Sequence, residues 1–586
     1  MLVAPTAMAA EPAKPSWQAA ELLPETVIAY AELSNLGDGV EMLLHHPLRD
    51  SIEALPAYQE VLKDEGFGKL QQGVAAFEGA MDMPWNEALA TLSAGGVAVA
   101  LDAQEGGVAL LAKSSSEEKL KRFRGFLTVI RNLQPKSESR GGTYRGFNAE
   151  PLGDKLKVAF VDDLLLITNN SNLGKAIIDR YLDADQASLQ NSDRFQLAWS
   201  TLSPAAEGQA SVSAFVDVTT VRSGGLAKGL FKEKTENPLE ELLLGGLFAN
   251  LQHTPYATAK LDLHPAGLRL RLSTPHQRDW EPPREHFFGT AERPPAPPLL
   301  LVDDRLFAVT TQRDLSQMWL RAGDLMTDKA NDGLAQADTQ LTTFFSGRDF
   351  GEDILGSFQD DIQIVGKAQD FENVLPRPAI KLPAFAIQVR MQDPAETQTE
   401  MRRIFQSFIG FLNVVGAMEG QPQFDLDSET IDDAKLYTAT YVPERDARES
   451  VTAPINFNFS PTLAFHNDRM IVASAAGLAR ELVTAPKAPA RQETESNANA
   501  NENASKLNTA VTLDARTLQS VLRANRDQLV AQNMIEEGHS QEVAENETDF
   551  LLDVIGYFRS LRIDFSVTDD ALQLGGELSL QTERTE

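Results

Sequence analysis

Cysteine is absent from all 586 residues. That excludes disulfides, thiolate metal sites, iron–sulfur clusters, cysteine nucleophiles and a lipidated N-terminal cysteine. Positive charge is scarce: 53 Lys and Arg stand against 84 Asp and Glu, a net charge of −31 spread along the chain. Nucleic acid and anionic membrane surfaces both need a basic footprint, so neither is an expected partner. Long apolar runs are missing as well. No window past the N-terminus approaches the roughly 18 continuous apolar residues of a membrane span, so no transmembrane segment is expected. Neither a G-x-S-x-G elbow nor an H-E-x-x-H helix occurs, which removes the usual lipase and zincin signatures. What remains is an ordinary globular composition, 42% apolar and 23% charged, in a chain too long for one core.

The first ten residues, MLVAPTAMAA, are small and apolar, and Ala7-Met8-Ala9 has the small-x-small form of a signal-peptidase site before Glu11-Pro12. The basic n-region and full apolar stretch of a signal peptide are lacking. Residues 1–20 read as a signal-peptide remnant and flexible N-terminus, with the start of the leader lying upstream. The expected location is therefore extracytoplasmic, periplasmic or secreted.

Two stretches about three hundred residues apart repeat one pattern. KVAFVDDLLLITNNSNLGKAII (Lys157–Ile178) aligns without gaps on TLAFHNDRMIVASAAGLARELV (Thr462–Val483). Each reads as two apolar strands around a polar turn, then a helix. The neighbours correspond in the same order. ETVIAYAELSNLGDGVEML resembles DRLFAVTTQRDLSQMWL. The hairpin GGVAVALDAQEGGVALLAK and its helix match DIQIVGKAQDF, AFAIQVRMQDP and the helix after it. SAFVDVTTV matches AVTLDARTL, LEELLLGGLFANL matches DFLLDVIGYFRSL, and a terminal antiparallel pair closes each half. Ser115 with Glu118 predicts a capping box, while Asp393-Pro394-Ala395-Glu396 predicts an N-cap with proline at the first helical position. The fold class is thus α+β, a tandem duplication of a mostly antiparallel sheet-plus-helices unit. The first repeat spans 21–277, a Pro-rich linker 278–298, and the second repeat 299–586 with a flexible insertion at 484–505.

Candidates for chemistry each have a structural reading. His45-His46 points two rings about 100° apart on a helix end, which suits a helix stop better than a metal. Asp328–Thr339 has acids and Gly333 in a calcium-loop arrangement, but Ala330 and Thr339 replace key ligands, so a helix interrupted by a glycine turn is expected. The acids of Phe424–Asp433 read as a solvated loop. Arg222–Phe231 lacks the spacing of a phosphate loop. Asp217 and Asp514, and Asp163 and Asp468, recur in both halves, as turn formers or helix starts. No residue is assigned a catalytic, cofactor-binding or metal-binding role, and no cofactor is expected.

The phrase LLPETVIAYAEL at Leu22–Leu33, with the strand–helix–hairpin–helix order after it, resembles the LP-x-x-T-x-x-Y opening of a family of exported bacterial proteins grouped as a domain of unknown function. The resemblance implies export and α+β repetition. Together these features predict a non-enzymatic binding or envelope-associated protein, with an envelope component or another protein as a partner. The alternatives are a hydrolase with a carboxylate site between the repeats, and a periplasmic chaperone or apolar-ligand carrier.

Overall fold

The computed structural model describes the chain from Gln18 to Gln581, apart from 54–57, 60–61, 104–105, 134–140, 184–185, 204–208, 278–294, 346, 373, 444, 446–447 and 486–506. The apolar start, most of the Pro-rich linker and nearly all of the 484–505 insertion lie outside the described residues. Two compact units divide the chain, 1–221 with 255–265, and 222–254 with 266–586. Residues 222–254 and 266–277, assigned to the first repeat from the sequence, pack with the second unit.

In the first unit, strand β1 (Val27–Ser34) runs into helix α1 (Leu36–Leu44), and helices α2 (Glu65–Met81) and α3 (Trp85–Leu92) follow. The hairpin β2 (Val97–Asp102) and β3 (Val108–Lys113) leads to α4 (Glu117–Leu133). Ser116, not Ser115, caps that helix, accepting from the Lys119 amide at 3.3 Å. Next come β4 (Gly142–Tyr144), β5 (Phe147–Leu152), β6 (Leu156–Val161), β7 (Leu164–Thr168), α5 (Ser171–Leu182), α6 (Asp193–Trp199), β8 (Ser211–Val216) and β9 (Ala257–His264). The strands pair antiparallel in the order β9-β8-β1-β2-β3-β7-β6-β5-β4.

The second unit begins with α7 (Pro238–His253) and β10 (Gly267–Pro275). Strand β11 (Arg305–Gln312) precedes α8 (Asp328–Phe344). Then follow β12 (Phe358–Lys367), β13 (Ala384–Met391), α9 (Pro394–Met418), β14 (Phe424–Ile431), β15 (Ala434–Tyr441), β16 (Thr462–His466), β17 (Arg469–Ala473) and α10 (Ala476–Thr484). Strand β18 (Leu507–Asp514), helices α11 (Ala515–Ala524), α12 (Arg526–Glu536) and α13 (Gln541–Gly556), and strands β19 (Phe558–Val567) and β20 (Ala571–Leu580) complete it. Its order is β10-β20-β19-β18-β11-β12-β13-β17-β16-β15-β14, again antiparallel.

From β19 to β14 the second order repeats the first, from β9 to β4, strand for strand. Registers agree too: Ala149 pairs with Ala159 in β5–β6, and Leu436 with Ala464 in β15–β16. The bend after β2 is tied by Ala103 N–H to Thr26 C=O at 3.0 Å, and its counterpart by Ala368 N–H to Asp304 C=O at 3.0 Å. Strand alternation explains the layering, because successive residues face opposite sides. In β6–β7, Ala159, Val161, Leu164 and Leu166 bury against α5 and α6, while Val158 and Leu165 bury against α2, α3 and α4. In β16–β17, Ala464 and Ile471 bury beneath α10, while Leu463, Phe465 and Met470 bury against α9. Helices cover both faces of an antiparallel sheet, the α+β class that the sequence predicts.

Two local expectations are corrected. Residues Asp328–Phe344 form one uninterrupted helix through Gly333, which carries no positive φ. Residues 424–431 are a strand, not a loop. Asp432, in the left-handed region at φ 51°, turns it into β15.

Candidate functional site

The residues singled out from the sequence are committed to local structure. His45 Nδ1 lies 3.1 Å from the Glu41 carbonyl, and His46 Nε2 lies 2.8 Å from the Pro265 carbonyl, so the two rings diverge. Asp217 accepts from the Thr220 amide at 2.9 Å and pairs with Arg194. Asp514 accepts from the Thr517 amide at 2.8 Å. Both acids cap helices, as their positions imply. Asp163 and Asp468 sit in equivalent turns, whose carbonyls accept from Ser114 at 2.9 Å and Met391 at 2.8 Å. Around Arg222–Phe231, Arg222 donates to the Leu251 carbonyl at 2.9 Å, and no phosphate-type loop forms. The acids at 425, 427, 432 and 433 are exposed on and beside an edge strand. Among the described residues no three His, Asp or Glu side chains are grouped to hold a metal. In the LLPETVIAYAEL phrase, Thr26 stands one position before the threonine of the family spacing, and its hydroxyl donates to the Asp102 carboxylate.

A site that the sequence reading did not name lies in the first unit. A cavity of about 290 Å³ opens between the β4–β5 hairpin and α5, floored by β6 and β7. Tyr144, Phe147 and Ala149 form the hairpin wall, Ala159 and Leu166 the floor, and Gly174 and Ile178 the helix wall. Lys157 and Lys175 also line it. Lys157 is half-buried and its ammonium donates to the Ser171 hydroxyl at 2.8 Å. Lys175 is exposed and lies over the Tyr144 ring, 5.6 Å from its centroid. The volume is near the lower end of the ~300–1,000 Å³ typical of small-molecule sites, and the mix of apolar walls with few polar groups fits that class.

A clasp holds the hairpin against the helix. Arg145 and Gly146 both have positive φ, 46° and 91°, giving a tight type I′ turn. The Tyr144 hydroxyl donates to Asp179 at 2.9 Å, and Arg145 reaches Asp179 at 3.0 Å and Asp183 at 2.5 Å. The hydrogen bond from Arg145 holds the Asp183 carboxyl below its ordinary pKa, with burial opposing. The bond to Asp179, aided by burial, holds the Tyr144 phenol above its own. In the same last turn of α5, burial and the bond to Asp162 push Tyr181 up to about 12. At the entrance, a Cβ on Gly141 would lie 2.9 Å from the Ala149 carbonyl, so only glycine lets the chain pass there.

The matching registers give each lining residue a counterpart in the second unit. Ala149 corresponds to Leu436, which is 0% exposed, and Gly174 to the buried Ala479. Ser171 and Thr168 correspond to Ala476 and Ala473, both in the second unit's core. Gly142 corresponds to Glu429 and Lys175 to Arg480, and these two form an ion pair at 2.6 Å. Leu436 and Glu429 are larger than Ala149 and Gly142, whereas Ala473 and Ala476 are smaller than Thr168 and Ser171, so the extra bulk of the second unit sits on the hairpin side.

Among the described residues no helix is long and apolar enough to cross a membrane. No family model matches the chain, and no curated protein does. Three crystal forms of TP0453 are similar in part. Form IV is 11% identical with a TM-score of 0.24, over 44% of this chain and 79% of that chain. Form III is also 11% identical at 0.24, over 44% and 80%, and form I is 10% identical at 0.23, over 44% and 79%. A likeness of that size carries nothing about function.

Proposed function

We propose that this protein is a non-catalytic binding protein acting outside the cytoplasm, with a small, largely apolar ligand held in the first unit. We infer further that its two units descend from one duplicated unit, and that only the first kept the binding role. The observation that carries this reading is the interior contrast between the units. Ala149 leaves space at the position that the buried Leu436 occupies in the second unit. A sealed core is the default for a packed domain, so a cavity retained at one of two equivalent places calls for an occupant. The clasp of Tyr144 and Arg145 on Asp179 and Asp183 supports a preformed site, since it fixes the wall without a ligand.

The local roles of the acids weigh against the carboxylate-hydrolase alternative. Asp217 and Asp514 are engaged in capping, Glu429 pairs with Arg480, and Asp425, Asp427, Asp432 and Asp433 lie exposed on and beside an edge strand. The small-residue start and the LLPETVIAYAEL phrase support export, and cell fractionation tests it; a cytoplasmic pool alone would remove that part.

The binding reading is tested with 1-aminoanthracene, a neutral aromatic probe that brightens in dry sites. Saturable enhancement is expected for the full chain. It should be abolished by Ala149→Leu, which copies the second unit's filling, while circular dichroism stays unchanged. Enhancement that ignores Ala149→Leu, or no enhancement at all, would sink the assignment of the site.

A further inference from the structure

We propose that the ligand of this cavity carries a carboxylate, and that Lys175 receives it as Arg480 receives Glu429 in the second unit. The inference rests on the binding reading above and names the chemical class of its ligand.

In the second unit the helix cation has an internal partner. Arg480 donates to Glu429 on the edge strand β14, 2.6 Å away, and the pair closes hairpin against helix. The β4–β5 and β14–β15 registers make Gly142 the counterpart of Glu429: Gly142 pairs with Ala149 as Glu429 pairs with Leu436. The first unit has the cation, Lys175, but glycine at the position of the acid. Lys175 and Gly142 line the same cavity. Among the described residues Lys175 has no carboxylate partner, only the face of the Tyr144 ring. Nothing steric demands the glycine. A Cβ at 142 would meet no heavy atom within 4 Å, and Gly142 does not have positive φ. The missing side chain therefore leaves open space beside a cation at the mouth of an apolar pocket.

Charge and shape select the occupant together. A carboxylate accepts charge-assisted hydrogen bonds from an ammonium, and such bonds gain strength beside apolar walls. The Ser171 hydroxyl and the Lys157 ammonium, bonded to each other at 2.8 Å, add donors on the same rim. The apolar body then lies along Phe147, Leu166 and Ile178. A short aryl- or alkyl-carboxylic acid meets both demands. Where the second unit holds hairpin to helix by that ion pair, the first uses its clasp. Arg145 with Asp179 and Asp183 holds the hairpin in the first unit.

Competition against bound 1-aminoanthracene tests the inference on the full-length protein, with 3-phenylpropionate and neutral 3-phenylpropanamide as competitors. The acid should compete about tenfold better than the amide, the size of one charged hydrogen bond. Gly142→Glu supplies an internal carboxylate. Lys175→Met removes the cation while keeping the stem. Both should erase the acid's advantage over the amide, each ratio read against that variant's own affinity for 1-aminoanthracene. An acid that competes no better than the amide overturns the carboxylate assignment while leaving the cavity reading intact. So does an advantage that survives both substitutions. Failure of the probe to bind the unsubstituted chain defeats the cavity reading, and this inference with it.

Discussion

At the scale of single residues the strongest commitment in the second unit is Arg313, wholly buried beside β11. Its guanidinium donates to the carbonyls of Leu242 at 2.7 Å and Gln312 at 2.6 Å, to the Thr509 hydroxyl at 3.1 Å, and to Asn508. Burial pushes its pKa down to about 9, with the buried Glu241 opposing. Glu241 in turn accepts from Thr235 at 3.0 Å and folds back over Gly245, where a Cβ would lie 2.2 Å from its Oε1. Removing Arg313 leaves its buried acceptors without their donor and Glu241 without the nearby positive charge. Arg313→Met should cost about 3–5 kcal/mol in chemical denaturation of the second unit. Adding Glu241→Gln should recover part of that loss, because the stranded charge disappears. A simple sum of the two single costs would show that the residues act independently. A second residue-scale prediction concerns acid. Asp183 titrates lower in the folded state than the ~3.9 of a free carboxylate. Its contribution is complete above about pH 4 and is lost as pH falls through the lower folded value. Probe binding, which needs the hairpin wall, should fall in that window. In Asp183→Asn it should already be weakened at neutral pH. A binding curve flat down to the pH of global unfolding would show that the clasp does not gate the cavity.

At the scale of elements, the deciding part is the hairpin that walls the cavity, and the sequence hid it in both halves. TYRGFN turns on Arg145-Gly146, without the Asn-Gly or Asp-Gly that signals a two-residue hairpin. SETIDDAKLY turns on Asp432-Asp433, and its acids suggest a solvated loop. Tertiary pairing with β6 and β16 selects strand in both places, and a propensity reading has no access to that. The helices and hairpins with strong local signals were legible. The Asp393 cap with Pro394 behind it, the Asp217 and Asp514 starts, and the β6–β7 and β16–β17 pairs all stand where their residues imply. The site was not, because it depends on what is small at 142 and 149, and smallness has no periodicity. The converse experiment follows from the same equivalence. Leu436→Ala should open a void beneath α10 and cost about 2–5 kcal/mol. Combined with Ala149→Leu, it should return some 1-aminoanthracene binding, now in the second unit. Collapse around the shortened side chain at position 436, with a cost near the low end and no binding, would show that the hairpin there is free to settle inward.

Across the whole molecule, equal strand order with unequal interiors separates what the fold needs from what the site needs. The fold needs the alternation that buries Ala464 and Ile471 under one helix and Leu463 and Met470 under another, and both units supply it. The site needs departures from that packing, and the first unit supplies those. The net charge of −31 belongs to the whole chain and opposes its compaction. Among the described residues many ion pairs are exposed, as with Lys69 and Glu65, and pairs of that kind contribute little each. Salt screens both effects, shrinking the Debye length from about 30 Å at 0.01 M to about 10 Å at 0.1 M. Long-range repulsion among excess acids is lost over that range, while contact pairs a few ångströms apart lose less. The melting temperature should therefore rise as NaCl goes from 0.01 to 0.1 M, then level off. Charge-reversing substitutions on the exposed acids of β14, such as Asp425→Lys with Asp427→Lys, should flatten that rise. A melting temperature that instead falls with salt would show that attraction between paired charges outweighs the repulsion of the surplus.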